Sequence, residues 1–302
     1  MSKLFIIGNG FDIAHDLPTR YSDFRAYLKK QYPNAIIQDD TVPEEYSYNH
    51  GWDYDDDEVI GFIISVLDNC DDENWSDLES DLGGSIFDHF SWFFDINYDD
   101  DDEMYRDAHR NTDTAENISK VFSRIKPLFK EWVTNDLWPR ITKTKKRIDI
   151  NSVLSSGHYL NFNYTNTLEL IYGVPEVCHI HGSSNSDEIY FGHGDEEDTH
   201  ESPSTVGADS ALNSLKSDLR KNTFAAYSEH SDFFRSLADV TEIYSYGFSF
   251  SPVDMYYIEQ LSIILDFSTI TWYFNKFDKE YNKDNINKIK KLGFKIAYEI
   301  RW

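Results

Sequence analysis

The first dozen residues constrain this chain more than any other stretch. Leu4 to Ile7 is a short, wholly apolar run that stops at Gly8-Asn9-Gly10. A strand that is apolar on both faces must be covered on both, as in a parallel sheet flanked by helices. Glycine lets the backbone turn sharply and approach a phosphate closely, and a helix start beyond it offers free N–H groups. Such a helix is expected next, with Phe24 and Leu28 four residues apart. The run therefore predicts the nucleotide-binding corner of an α/β enzyme, although it is not the full Gly-x-Gly-x-x-Gly fingerprint. Asp12 would serve there either as a helix cap or as a partner for a ribose hydroxyl.

After Ile150 the pattern becomes strand, loop, helix. Strands are expected at Tyr159–Phe162, Val177–Ile180, Ile189–Phe191, Ile243–Tyr246, Thr269–Phe274 and Phe294–Ile300. Helices are expected at Asp209–Lys221, Phe224–Leu237, Pro252–Leu265 and Lys279–Leu292. Alternation of this kind predicts a doubly wound, mostly parallel, Rossmann-like sheet. Residues 35–140 read differently, as an acidic helical insertion or cap after the first strand of a single domain spanning 1–302. Val59, Phe62, Ile63, Val66 and Leu67 fit one helical face, as do Trp75, Leu78, Leu82 and Ile86. A further helix is expected over Glu116–Leu137, kinked or divided by Pro127. The acidic clusters at Asp53–Glu58 and Asp99–Glu103 read as helix starts and solvated loops.

Charge narrows the partners. The chain has 54 acidic and 28 basic residues and a formal net charge of -26, so it repels nucleic acid and anionic lipid at long range. Nucleic acid is therefore an unexpected partner, and a small nucleotide an expected one. Cys70 and Cys178 form no Cys-x-x-Cys pair, which argues against a zinc ribbon or a disulfide-built fold. The apolar run after Met1 is too short for a signal-peptide core, and Val59–Leu67 falls well short of the roughly 20 residues a bilayer requires. A cytoplasmic, membrane-free protein is the expectation.

Ligands of doubly wound sheets bind beyond the carboxyl ends of the strands, where the strand order reverses. Three segments fall at such ends. Gly8-Asn9-Gly10-Phe11-Asp12 is the first. The second is Asn161-Phe162-Asn163-Tyr164-Thr165 with His179-Ile180-His181-Gly182, where a histidine takes a proton near neutral pH and an amide orients a water or hydroxyl. The third runs from Gly247-Phe248-Ser249 to Ser251-Pro252-Val253-Asp254, which reads as an N-cap, an N1 proline and a capping-box acid. His179, His181 and His193 also raise a metal-dependent nuclease or phosphohydrolase as an alternative.

These residues together resemble the bacteriophage abortive-infection AbiH family. The resemblance is carried by residues 3–24, by Trp75-Ser76-Asp77-Leu78-Glu79, by Asn161 to Thr167, by His179-Ile180-His181-Gly182 and by Gly247 to Asp254. It implies antiphage defence. A more distant similarity is to sirtuin-like NAD-binding domains: the Gly-Asn-Gly turn leads to Leu17-Pro18, Asn163 precedes His181-Gly182, and Gly247-Phe248-Ser249 opens a late helix. Asp12 and Thr165 depart from the sirtuin pattern, and the four-cysteine zinc module is absent. The resemblance thus implies NAD hydrolysis rather than protein deacetylation, without a metal. It implies Asn163 and His181 as catalytic, and Gly8, Asn9, Gly10, Asp12, Gly247, Ser249 and Asp254 as contacts to NAD. A non-catalytic sensor of NAD or ADP-ribose is the alternative on the same fold. Such an activity must be restrained in healthy cells, so a homo-oligomeric switch or a phage-derived trigger is expected.

Overall fold

The computed structural model describes residues 2–39, 41–48, 51–69, 78–79, 81–186, 188–194, 205–276, 279–294 and 296–301. Its strands are β1 (Ser2–Ile7), β2 (Tyr46–Tyr48), β3 (Gly51–Asp53), β4 (His158–Asn161), β5 (Cys178–His179), β6 (Val240–Tyr246), β7 (Thr271–Asn275) and β8 (Ile296–Ile300). Two compact units are formed: residues 1–20, 130–190 and 222–302 make one, residues 21–129 and 191–221 the other.

The first unit holds a six-stranded sheet in the order β5-β4-β1-β6-β7-β8, and every pairing in it is parallel. Counted along the chain, these strands run 3-2-1-4-5-6, so the order reverses between β1 and β6. Alternation along β1 sends Leu4 and Ile6 to one face, where they pack with Leu160, Ile243, Trp272, Tyr257 and Leu261. Phe5 and Ile7 face the other way, among Phe11, Ile150, Tyr159, Leu168, Tyr244 and Tyr246. Both faces are covered, as the unbroken apolar run of β1 requires.

The second face also carries a ladder of aromatic rings, one per strand and in register. Tyr159 stacks on Phe5 at 4.8 Å, Phe5 on Tyr244 at 5.3 Å, Tyr244 on Tyr273 at 4.7 Å and Tyr273 on Tyr298 at 5.9 Å. Each such pair contributes about 0.5–1.5 kcal/mol beyond its burial. Five strands are thereby tied in one register.

The second unit is mainly helical. Its helix Asp56–Asp68 is buried continuously from Val59 to Leu67, which accounts for the apolar run there. Among the described residues, no helix is long and apolar enough to cross a membrane. The acidic clusters are helix starts. Asp55 caps two amides of Asp56–Asp68, and Asp100 caps Glu103 N at the head of helix Asp101–Phe122, where acidic residues complement the positive end of the helix. Leu82 and Ile86 are buried as expected, while Trp75 to Asp77 and Cys70 lie outside the described residues.

Several boundaries differ from expectation. The helix expected over Glu116–Leu137 begins at Asp101, stops at Phe122, restarts over Ile125–Trp132 and continues as a π-helical turn, Val133–Leu137. Pro127 has no N–H to give the Ser123 carbonyl, so the break falls one turn before it. Phe224–Leu237 is divided at His230 into Thr223–Glu229 and Ser231–Arg235. Ile189–Phe191 forms no strand: the Tyr190 amide donates to the His181 carbonyl at 2.9 Å, without a ladder beyond it. The hairpin of β2 and β3 carries no alternating pattern long enough to announce it.

Candidate functional site

The carboxyl ends of four strands are level. Ile7 of β1 pairs with Asn161 of β4 and Tyr246 of β6, and Asn161 pairs with His179 of β5. Gly8, Asn163, His181 and Gly247 therefore leave the sheet along one edge, where the strand order reverses.

The two glycine turns meet each other there. Gly8 N donates to Tyr246 O at 2.9 Å and Gly10 N to Gly247 O at 3.1 Å. A Cβ on Gly8 would lie 2.4 Å from the Gly247 carbonyl oxygen, and one on Gly247 would lie 2.4 Å from the Gly10 Cα. Gly247 also has φ +63°, in the left-handed region. The need for glycine at Gly8 and Gly247 is thus met by backbone packed on backbone. Asn163 completes the joint, its Nδ2 donating to Gly8 O at 3.0 Å while its own amide donates to Asn161 Oδ1. Asn9 holds the following loop by donating to Thr19 O at 2.9 Å. Gly10 and Gly247 are half-buried and Ser249 is exposed, so these residues with Asn9 form the rim.

Asp12 lies beneath that rim, fully buried. One carboxylate oxygen accepts from Thr165 Oγ1 at 2.5 Å and the other from Thr167 Oγ1 at 2.6 Å. Burial raises its pKa to about 6, against the lowering effect of the two threonine hydroxyls and His179. The partners of Asp12 thus come from the turn after β4.

Two histidine–carboxylate pairs lie at these strand ends, and the first of them, His179 with Glu169, acts on Asp12 through its charges. His179 Nε2 lies 2.6 Å from Glu169 Oε1, and its Nδ1 lies 3.2 Å from Asn163 O. Burial opposes the charge of Glu169, but the hydrogen bond and charge of His179, with Asn166, hold its carboxyl below the ordinary range. Glu169 sits in a π-helical turn, Leu168–Tyr172, a distortion common at functional sites. A carboxylate at that distance fixes Nε2 of His179 as the N–H.

His181 is only 2% exposed. Its Nε2 lies 3.2 Å from Asp254 Oδ1 and its Nδ1 3.3 Å from Phe162 O, and the rings of Phe162, Tyr164 and Tyr257 surround it at 5.3–6.0 Å. The expected capping box at Ser251 does not form: Ser251 makes no side-chain cap, and the Asp254 carboxylate turns to His181 instead.

Sequence reasoning missed Glu169 and the role of Thr165 and Thr167. The signal was present in Asn161-x-Asn163-x-Thr165-x-Thr167-x-Glu169, a polar residue at every second position. His193 belongs to the other unit, where its Nε2 faces Lys216 O at 2.9 Å. Among the described residues, no group of three or more histidine, cysteine, aspartate or glutamate side chains is placed to hold a metal ion.

The model of the bacteriophage abortive infection AbiH family matches residues 4–276, and the chain belongs to that family. Its role is accordingly in phage abortive-infection defence. No curated protein and no solved structure matches the chain.

Proposed function

We propose that the chain acts in abortive infection by hydrolysing the nicotinamide–ribose bond of NAD, on a sirtuin-like, Rossmann-type sheet. The observation that carries this reading is the 3-2-1-4-5-6 strand order, with its reversal at the Gly8 and Gly247 turns and the His181–Asp254 pair just beyond. Sheets of this order take dinucleotides at the reversal.

Nicotinamide departs as a neutral base with the electron pair of the broken C–N bond. A water then adds to the cationic ribose carbon, and its proton passes to histidine. Under this reading His181 accepts that proton and Asp254 balances the imidazolium. Asn163 orients the water or a ribose hydroxyl, and Asn9, Gly10, Gly247 and Ser249 contact the phosphates and ribose. Asp12 supports the turn from beneath, through Thr165 and Thr167. Burial of His181 and Asn163 suits an effector whose chemistry is withheld until a phage-derived trigger, or assembly into a homo-oligomer, exposes them.

The test is nicotinamide release from NAD by pure protein, alone and with extract of infected cells. Turnover that is lost in His181→Ala and Asn163→Ala supports the reading, and turnover intact in both removes these residues from the chemistry. A second reading, a non-catalytic sensor of NAD or ADP-ribose, is favoured by the internal hydrogen bonding of Asp12 and Asn163 behind an accessible rim. It predicts tight binding with no nicotinamide release under any trigger.

A further inference from the structure

A second surface of the sheet-bearing unit departs from the acidity of the rest of the chain. Arg140, Lys143, Lys145, Lys146 and Arg147 lie within eight residues that contain no acid, in a chain of net charge -26. Asn135, Asp136, Pro139, Arg140, Lys143 and Thr144 line an open hollow of about 420 Å³. Asn135 and Asp136 reach it from the π-helical turn Val133–Leu137, a distortion enriched at functional sites. Two of the cations have local acidic partners: Arg140 makes a bidentate pair with Asp136 at 2.9 Å, and Arg147 pairs with Asp149 at 2.8 Å. Lys146 lies 5.5 Å from the centre of the Tyr172 ring. Lys143 and Lys145 are exposed, and neither has an acidic partner among the described residues. On the short helix Trp138–Ile141 that carries Arg140, Trp138 is 44% exposed.

Trp138 directly precedes Pro139 and Arg140, which line the hollow, so an aromatic face and a run of cations share one short segment of chain. Lysines in a row track a chain of phosphates, and an indole face stacks on any base. A single phosphate would satisfy one or two of these cations, whereas the row extends past the hollow. The overall negative charge slows long-range approach, but at physiological salt its field decays over about 8 Å, so a local basic stretch acts on its own.

We propose that the hollow and the basic stretch 140–147 bind single-stranded nucleic acid, without sequence preference, through its phosphates and one base stacked on Trp138. At its far end the stretch adjoins the strand-end cluster, where Arg147 Nη1 donates to Ala14 O at 2.8 Å and Lys146 faces Tyr172, but the proposal does not depend on what that cluster does.

The experiment uses the full chain and a fluorescein-labelled oligothymidylate of about 20 nucleotides, with anisotropy read between ~50 and ~200 mM salt. Micromolar binding is expected, with a log–log salt slope of about -2, as three lysine–phosphate contacts on a single strand give. Replacing Lys143, Lys145 and Lys146 together by Gln should weaken binding about tenfold or more at the lower salt. The same net-charge change made by Lys283→Gln, Lys290→Gln and Lys291→Gln on the last helix should leave it nearly unchanged. Trp138→Ala should weaken binding about fivefold or more. The proposal is overturned if wild type does not bind at ~50 mM salt, or if the two triple variants lose affinity equally. It is also overturned if tripolyphosphate competes as well as unlabelled strand, phosphate for phosphate, while Trp138→Ala binds like wild type.

Discussion

Asp12→Asn tests the buried network under the glycine turns through its pH dependence. The folded carboxyl titrates at about 6, against an ordinary value of 3.8, because burial disfavours its charge. The native state therefore binds this proton more tightly than the unfolded chain, and stability falls as pH rises from the unfolded value through the folded one. A gap of about 2 pH units corresponds to about 3 kcal/mol once both states are ionised. About 1 kcal/mol of that is lost between pH 5 and pH 7, on the alkaline side of the isoelectric point near 4.6. Asparagine keeps the shape, cannot ionise, and turns one threonine hydroxyl from donor to acceptor. Urea unfolding followed by tryptophan fluorescence, run on both proteins at each pH, isolates this one group because every other acid cancels in the difference. Wild type should lose about 1 kcal/mol relative to Asp12→Asn between pH 5 and pH 7. A flat difference, or wild type gaining on the variant with pH, would refute a carboxyl raised by burial.

Gly247→Ala combines a left-handed backbone with a Cβ 2.4 Å from the Gly10 Cα, and should cost about 2–4 kcal/mol in a urea titration. A cost under about 0.5 kcal/mol would mean that the two turns are not locked together. In the helical unit, Lys221 is almost wholly buried against Glu79, so Lys221→Met should destabilise by about 3–5 kcal/mol, and adding Glu79→Leu should recover most of the loss. Recovery is read from the melting temperature, and its absence would show that the lysine serves something other than the pair. His179→Gln removes the hydrogen bond and the charge that hold the Glu169 carboxyl below its ordinary range, so the Glu169 carboxyl followed by NMR should titrate higher in the variant, and an unmoved midpoint would separate the two residues.

The sheet was legible because its strands announce themselves. Leu4–Ile7 is a continuous apolar run, Ile243–Tyr246 and Thr269–Phe274 are rich in β-branched and aromatic residues, and β1, β6 and β7 fall on them. The aromatic ladder was not, since Phe5, Tyr159, Tyr244, Tyr273 and Tyr298 become neighbours only through register. The same limit applied within the strand-end cluster. Ser251 and Asp254 follow the local rules of a capped helix, but a histidine 73 positions upstream of Asp254 (254 − 181) takes the carboxylate. Asp12 offered a cap or a ribose contact, and two threonines more than 150 residues away took both its oxygens. Local patterns named the positions that carry polar groups; which groups meet was decided by the fold.

The central claim, NAD cleavage at the strand-end cluster, is tested most directly by the NAD content of infected cells. Cells carrying wild-type protein or His181→Ala, matched for expression, are sampled through infection, and NAD and free nicotinamide are quantified. The account predicts that NAD falls and nicotinamide rises before lysis with wild type alone, and that only wild type limits phage yield. Phage restriction with NAD unchanged, or an equal fall of NAD in His181→Ala, would contradict it.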